Sequence, residues 1–185
     1  ATPCKVGTME RSGGGVAAAF GFRYQYLITV DLLLDLYSQS SHDWAVDVDP
    51  VDQDSADIIV RLSAGDPPDR VLQVKASLSS SSTTIGIKET RRILDGLRRE
   101  HPEARRRELL TNRRKTAGLE TELAHEKSTL LKQGERFVSH QESPHQLVEK
   151  LLHTIGRLRT TGDGGTGREL QYLLLRQLID RVHEA

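Results

Sequence analysis

Three side chains set the chemistry this sequence can do. Gln73 and Lys75 stand two apart in Val71-Leu72-Gln73-Val74-Lys75, so on a strand they project from one face. Asp57 opens the run Asp57-Ile58-Ile59-Val60, and Gly65-Asp66-Pro67-Pro68-Asp69 between the two runs is a turn that returns the chain antiparallel. Such a hairpin brings the Asp57 carboxylate beside the Gln73–Lys75 pair. An acid, an amide oxygen and an ammonium on one face suit hydrolysis assisted by a divalent cation, with oxygens holding the ion and the ammonium meeting negative charge. The competing reading of the pair is an edge strand with both polar side chains in water. The apolar bodies of both runs weigh against it.

The elements that must position these residues follow from periodicity. Residues 16–37 read as a long helix, apolar almost all round and therefore buried on most sides. Its polar residues Gln25 and Thr29 are four apart and share a face, which can look toward the site. Residues 44–48, 54–62 and 70–76 read as three strands, the third central because it is the most apolar and β-branched. A polar loop of Ser79 to Thr84 follows, then an amphipathic helix over 87–100 with Ile93, Leu94 and Leu97 inward. A fourth strand is expected at 107–112, a helix over 116–132 and a short fifth strand at 136–139. Ser143, Pro144 and Gln146 form a helix start, with that helix running to about residue 158 and a last one over 168–183. Residues 1–15 read as a flexible lead and 16–185 as one domain, with a core at 16–140 and a helical part at 143–185. The class is α/β, a mixed sheet flanked by helices with extra C-terminal helices.

Composition narrows the function. The single cysteine, Cys4, excludes a disulfide framework and a cysteine zinc site, and it suits a reducing, cytoplasmic compartment. No run approaches the roughly 20 apolar residues of a membrane span, so no membrane partner is expected. The chain begins at Ala1, which reads as a processed product or a piece of a longer protein. Net charge is zero, against a purely nucleic-acid-binding module, but its distribution is uneven. Between Asp31 and Asp69 there are ten Asp and one basic residue, Arg61; between Arg91 and Lys115 there are ten Lys/Arg and four acids. An acidic site beside a basic surface is what a metal-dependent nuclease needs; a solvated acidic loop and a solvated basic helix is the alternative. Arg91 and Arg92 on the second helix, and Arg105-Arg106-Arg107 and Arg113-Arg114-Lys115 around the fourth strand, could track phosphates or simply face water. Few aromatics leave little material for stacking single-stranded bases, so duplex backbone contact fits better. His140, His145 and His153 lack a completing carboxylate or cysteine and read as surface or capping residues.

Asp57 on the second strand and Gln73-Val74-Lys75 on the third, behind Gly21-Phe22-Arg23-Tyr24-Gln25 and Asp54-Ser55-Ala56-Asp57, resemble the restriction-endonuclease-like fold with its αβββαβ core. The Gln-x-Lys variant resembles the Mrr-type branch. The three pieces together are similar to the double-stranded DNA endonuclease domain of CD-NTase-associated bacterial anti-phage effectors, over residues 13–112. The resemblance implies an Mg²⁺- or Mn²⁺-dependent deoxyribonuclease. Asp57 and the Val74 carbonyl would ligate the ion, Gln73 would ligate it or orient water, and Lys75 would stabilise charge on the phosphate. Gln25 and Asp54 would shape the site or bind the metal, and Arg91, Arg92, Arg113 and Arg114 would bind DNA. A homo-oligomer, fused to or regulated by a sensor domain outside this chain, is also expected. Many superfamily sites carry Glu where this chain has Gln73. A neutral amide lowers the charge at the ion, so a catalytically inactive DNA-binding or oligomerising module is the alternative.

Overall fold

The computed structural model describes residues 13–39, 44–48, 50, 55–63, 65–77, 83–125, 128–140, 142–159, 175–177 and 179. In chain order the elements are α1 (Gly13–Gln39), β1 (Ala45–Val48), β2 (Ile58–Arg61), β3 (Arg70–Lys75), β4 (Thr84–Ile85), α2 (Ile87–Glu100), β5 (Arg106–Thr111), β6 (Arg114–Lys115), α3 (Ala117–Ala124), β7 (Glu135–Ser139) and α4 (Pro144–Arg159). Five strands form one mixed sheet in the order β1-β2-β3-β5-β7, with β3 central as its apolar run demands. The pairs β1/β2 and β2/β3 are antiparallel, and β3/β5 and β5/β7 are parallel. Each parallel pair is joined by a helical crossover, through α2 and then α3.

Both faces of the sheet are covered. Ile58, Val60, Leu72, Val74 and Leu110 pack against α1 and α4 on one face. On the other, Ile59, Val71 and Leu109 meet Ile93, Leu94 and Leu97 of α2 and Leu119 of α3. Alternation along β2 and β3 therefore buries consecutive residues on opposite sides, which is why these strands read as continuous apolar runs. Gly65, in the β2–β3 turn, has φ of 94°, a conformation that favours glycine. The Ser143 hydroxyl accepts from the Gln146 amide and the Gln146 side chain accepts from the Ser143 amide, the reciprocal cap expected at α4.

Several expectations change. The Gly13–Gly15 triplet is the first turn of α1 rather than lead-in, and residues 1–12 lie outside the described residues. Helix α1 is buried on most sides along its middle, with no exposed residue from Tyr24 to Leu34, as its all-round apolar pattern predicts, while nearer its ends Phe22 is 52 % and Tyr37 69 % exposed. Helix α3 stops at Ala124 instead of continuing to residue 132. The His125 amide turns back to the Glu122 carbonyl, and the Ser128 hydroxyl takes the Leu130 amide, so local side-chain bonding replaces the helix. Thr84, expected in the polar loop, belongs with Ile85 to a two-stranded parallel ladder with Arg114 and Lys115. Of the last expected helix, only residues 175–177 and 179 are described, helical, with Leu175 in the α1/α4 core.

Among the described residues, part of the charge asymmetry goes into internal ion pairs and hydrogen bonds. Asp69 is buried and pairs with Arg106 at 2.6 Å and Arg105 at 3.5 Å. Glu108 is buried against Arg70 at 2.7 Å, and Glu135 takes two bonds from Arg98. Arg107 donates to the carbonyls of His101 and Pro102. Arg106 and Arg107 thus hold the end of the sheet where β3 and β5 begin, while Arg105, with its side chain 74 % exposed, keeps the solvated position that is one of its two readings from sequence.

Candidate active site

The site lies where β2 begins and β3 ends. Asp57 stands one residue before β2, in register opposite Gln73. Its amide donates to the Leu72 carbonyl at 2.8 Å. Its carboxylate then takes over from the strand: Oδ2 accepts from the Val74 amide at 2.6 Å and from Gln73 Nε2 at 2.5 Å. The side chain acts as a cap on the ladder, so β2 starts at Ile58 and not at residue 54 as its sequence pattern suggests. Charge-assisted bonds of this kind are stronger than neutral ones and fix the carboxylate against β3. Gln73 is 4 % exposed, so its amide is desolvated as well as bonded.

Lys75 is partly exposed, and strand alternation puts its side chain on the Gln73 face, the one the Asp57 carboxylate uses. Among the described residues its ammonium has no hydrogen-bond or ion-pair partner. Gln25 approaches from the α1 side of the sheet and meets the backbone of Asp57, donating to its carbonyl at 3.4 Å. Thr29, its neighbour one turn on, is fully buried and donates to the Gln25 carbonyl at 3.0 Å. Asp54 lies outside the described residues. The structure therefore brings Asp57, Gln73, Val74, Lys75 and Gln25 to one end of the sheet.

Helix α2 closes over this face. A Cβ on Gly96 would come within 3.3 Å of the Ser55 Cβ, so helix and site loop touch. Glu100 holds that loop, accepting from the Ser55 amide at 3.1 Å and its hydroxyl at 2.5 Å; this serine bond is the main cause of the Glu100 carboxyl lying below its ordinary range. At the other end of α2, Glu89 receives Arg113 at 3.1 Å, bringing Arg113 and Arg114 beside the first turn of the helix that carries Arg91 and Arg92. Arg91, Arg92 and Arg114 are exposed and have no ion-pair partner among the described residues, whereas Arg113 is committed to Glu89.

Two groupings escaped the sequence reading. Thr111 and Asn112, both buried, bond to the backbone of Lys75 and Ser77. The spacing of two that singles out Gln73 and Lys75 is absent here, since Thr111 and Asn112 are adjacent; the signal that could have found them is a pair of polar residues ending the apolar run Leu109-Leu110. The second grouping is at the end of β7, where an open pocket of about 500 Å³ is lined by Ser139, His140, Glu142, Gln146 and Lys150. The buried Tyr24 hydroxyl meets His140 Nδ1 at 3.0 Å, and Glu142 lies 3.3 Å from Nε2. Burial raises the Tyr24 hydroxyl pKa and lowers that of the His140 imidazole, the latter against the opposing pull of Glu142. His140 is thus a packed partner of Tyr24 rather than a surface or capping histidine.

The donors around Asp57 are hard oxygens: one carboxylate, the Gln73 amide and the Val74 carbonyl. That chemistry suits Mg²⁺ or Mn²⁺ and not a softer metal. The Gln73 amide turns its nitrogen to the carboxylate, and a cation there would favour its oxygen instead. Among the described residues no three His, Cys, Asp or Glu side chains are grouped to hold a metal, so the carboxylate count is low. No described helix is long and apolar enough to cross a membrane. No family model, curated protein or solved structure matches the chain.

Proposed function

We propose that this chain is a restriction-endonuclease-like domain that hydrolyses phosphodiester bonds of double-stranded DNA with Mg²⁺ or Mn²⁺, as the effector part of a bacterial anti-phage protein. The observation that carries the reading is the Asp57 carboxylate meeting Gln73 on the face of the sheet that also carries Lys75. Asp57, the Gln73 amide oxygen and the Val74 carbonyl would hold the ion. The ion would supply Lewis-acid activation of the phosphate and of the attacking water. Lys75 places a positive charge where the scissile phosphate gains negative charge, and a desolvated site strengthens that attraction. Gln25 fixes the backbone under Asp57. Arg91, Arg92 and Arg114 offer exposed cations to the duplex backbone, while Arg113 orders their surroundings through Glu89. A regulating sensor domain in the full-length protein, a cytoplasmic location and a homo-oligomer belong to the same proposal; exposed Phe22 and Tyr37 on α1 are the apolar material for self-association.

Supercoiled plasmid incubated with Mg²⁺ or Mn²⁺ tests it: the chain nicks or linearises the plasmid and Lys75→Ala does not. Equal cleavage by both proteins discards the role of Lys75. A second reading is favoured by one feature, the neutral Gln73 beside a carboxylate already occupied by two hydrogen bonds. In it the fold is kept for DNA binding or oligomerisation and the chemistry is lost. Tight duplex binding with no cleavage under any divalent cation selects that reading.

A further inference from the structure

Lys75 lies at a place where the sheet is running out of partners. Pairing between β2 and β3 ends at Ile58 and Leu72, and beyond it the Asp57 carboxylate takes the place of the ladder on the β2 side, accepting from the Val74 amide and the Gln73 side chain. On the β5 side, backbone pairing stops at Lys75 and Thr111. A strand end held so thinly should fray, and an ammonium on a four-carbon stem would swing with it. Two side chains prevent this. The Thr111 hydroxyl donates to the Lys75 carbonyl at 2.6 Å and accepts from the Arg113 amide at 3.1 Å. The Asn112 side chain then clasps Ser77 on both sides, accepting from its amide at 2.8 Å and donating to its carbonyl at 2.9 Å. Thr111 is fully buried and Asn112 is 6 % exposed, so water does not compete. The clasp imitates a strand for two residues past the last paired one.

We infer that Thr111 and Asn112 are positioning residues that hold the backbone from Lys75 to Ser77 and so aim the Lys75 ammonium at the phosphate. This rests on the proposed role of Lys75 as the ammonium of the hydrolytic site. Neither residue needs to touch DNA or metal. Their effect appears in the rate of the chemical step and not in duplex affinity, because a displacement of about 1 Å in a catalytic group can cost on the order of a hundredfold in rate.

The test pairs Thr111→Val, which keeps the shape and loses the hydroxyl, with Thr111→Ser, which keeps the hydroxyl; Asn112→Ala is the second variant. Single-turnover plasmid cleavage, metal-free duplex binding and amide exchange of Ser77 in the metal-free protein are measured on each. The expected result is cleavage slowed about ten- to a hundredfold in Thr111→Val, restored in Thr111→Ser, with duplex affinity unchanged and Ser77 exchange faster in Asn112→Ala. Wild-type cleavage with Thr111→Val equally active overturns the inference, as does loss of rate and duplex affinity together with no rescue by serine. Unaltered Ser77 exchange in Asn112→Ala overturns the clasp whether or not the chain cuts DNA. A wild type that cuts no DNA overturns the functional reading instead, and with it the aim assigned to the clasp.

Discussion

Replacing Asp57 by alanine and by asparagine separates its two duties. One carboxylate oxygen caps the strand by accepting from Val74 at 2.6 Å and from Gln73. Both donors belong to buried residues, Val74 at 7 % and Gln73 at 4 % exposed, so neither finds ready water when the acceptor is removed. An orphaned buried donor costs about 1–3 kcal/mol, and partial access at the half-buried Asp57 lowers the sum, giving roughly 2–4 kcal/mol for Asp57→Ala. Asparagine keeps an acceptor for Val74 and loses the charge, a change of roughly 1 kcal/mol. At about 2–4 °C per kcal/mol for a chain this size, alanine lowers the thermal midpoint by roughly 4–16 °C and asparagine by a few degrees. Urea unfolding and calorimetry read the stability, and plasmid cleavage reads the chemistry, which both substitutions abolish. Equal stability of the two variants refutes the capping role; full cleavage by asparagine refutes the ligand role.

Other outcomes follow from the same structure. Gly134 has φ of 79°, and an added Cβ would lie 2.5 Å from the Arg105 carbonyl oxygen, so Gly134→Ala destabilises by at least about 2 kcal/mol; Gly65→Ala, with φ of 94° and nothing within 4 Å, costs only about 1 kcal/mol, and equal losses in urea contradict this. Burial lowers the His101 imidazole pKa, so its contribution to stability is complete above about pH 6.5 and is lost as pH falls through the folded-state value, because the unfolded chain takes the proton first. His101→Asn should flatten that decline in a pH series of denaturation curves, and an unchanged slope would assign it elsewhere. Arg91→Gln with Arg92→Gln should lower the slope of log affinity against log salt by about 1–2 in duplex binding, whereas Arg106→Gln, which breaks the pair with Asp69, should lower stability and leave that slope alone.

The parts of this fold legible in the sequence are those where burial alone decides. Strands β2 and β3 and helix α2 show their apolar pattern directly, and α2 spans the residues its periodicity predicts. The approach of Asp57 to Gln73 was also legible, because a turn between two apolar runs leaves little choice of register. What stayed hidden depended on polar side chains choosing partners far along the chain. Asp69 with Arg105 and Arg106, Glu108 with Arg70, and Tyr24 with His140 join residues 36 to 116 positions apart. Residue type does not reveal which arginine turns inward. The early end of α3 and the β4/β6 ladder were hidden for a related reason: local bonds of Ser128 and two-residue pairings are too short to leave a periodic signal.

The most direct measurement is anomalous diffraction from crystals soaked in Mn²⁺, with a short duplex bound. The account predicts one strong peak bounded by the Asp57 carboxylate, the Gln73 amide oxygen and the Val74 carbonyl, with Lys75 on a phosphate beside it. No peak there at saturating Mn²⁺, or Gln73 still turned with its nitrogen to Asp57 and the duplex seated elsewhere, contradicts it.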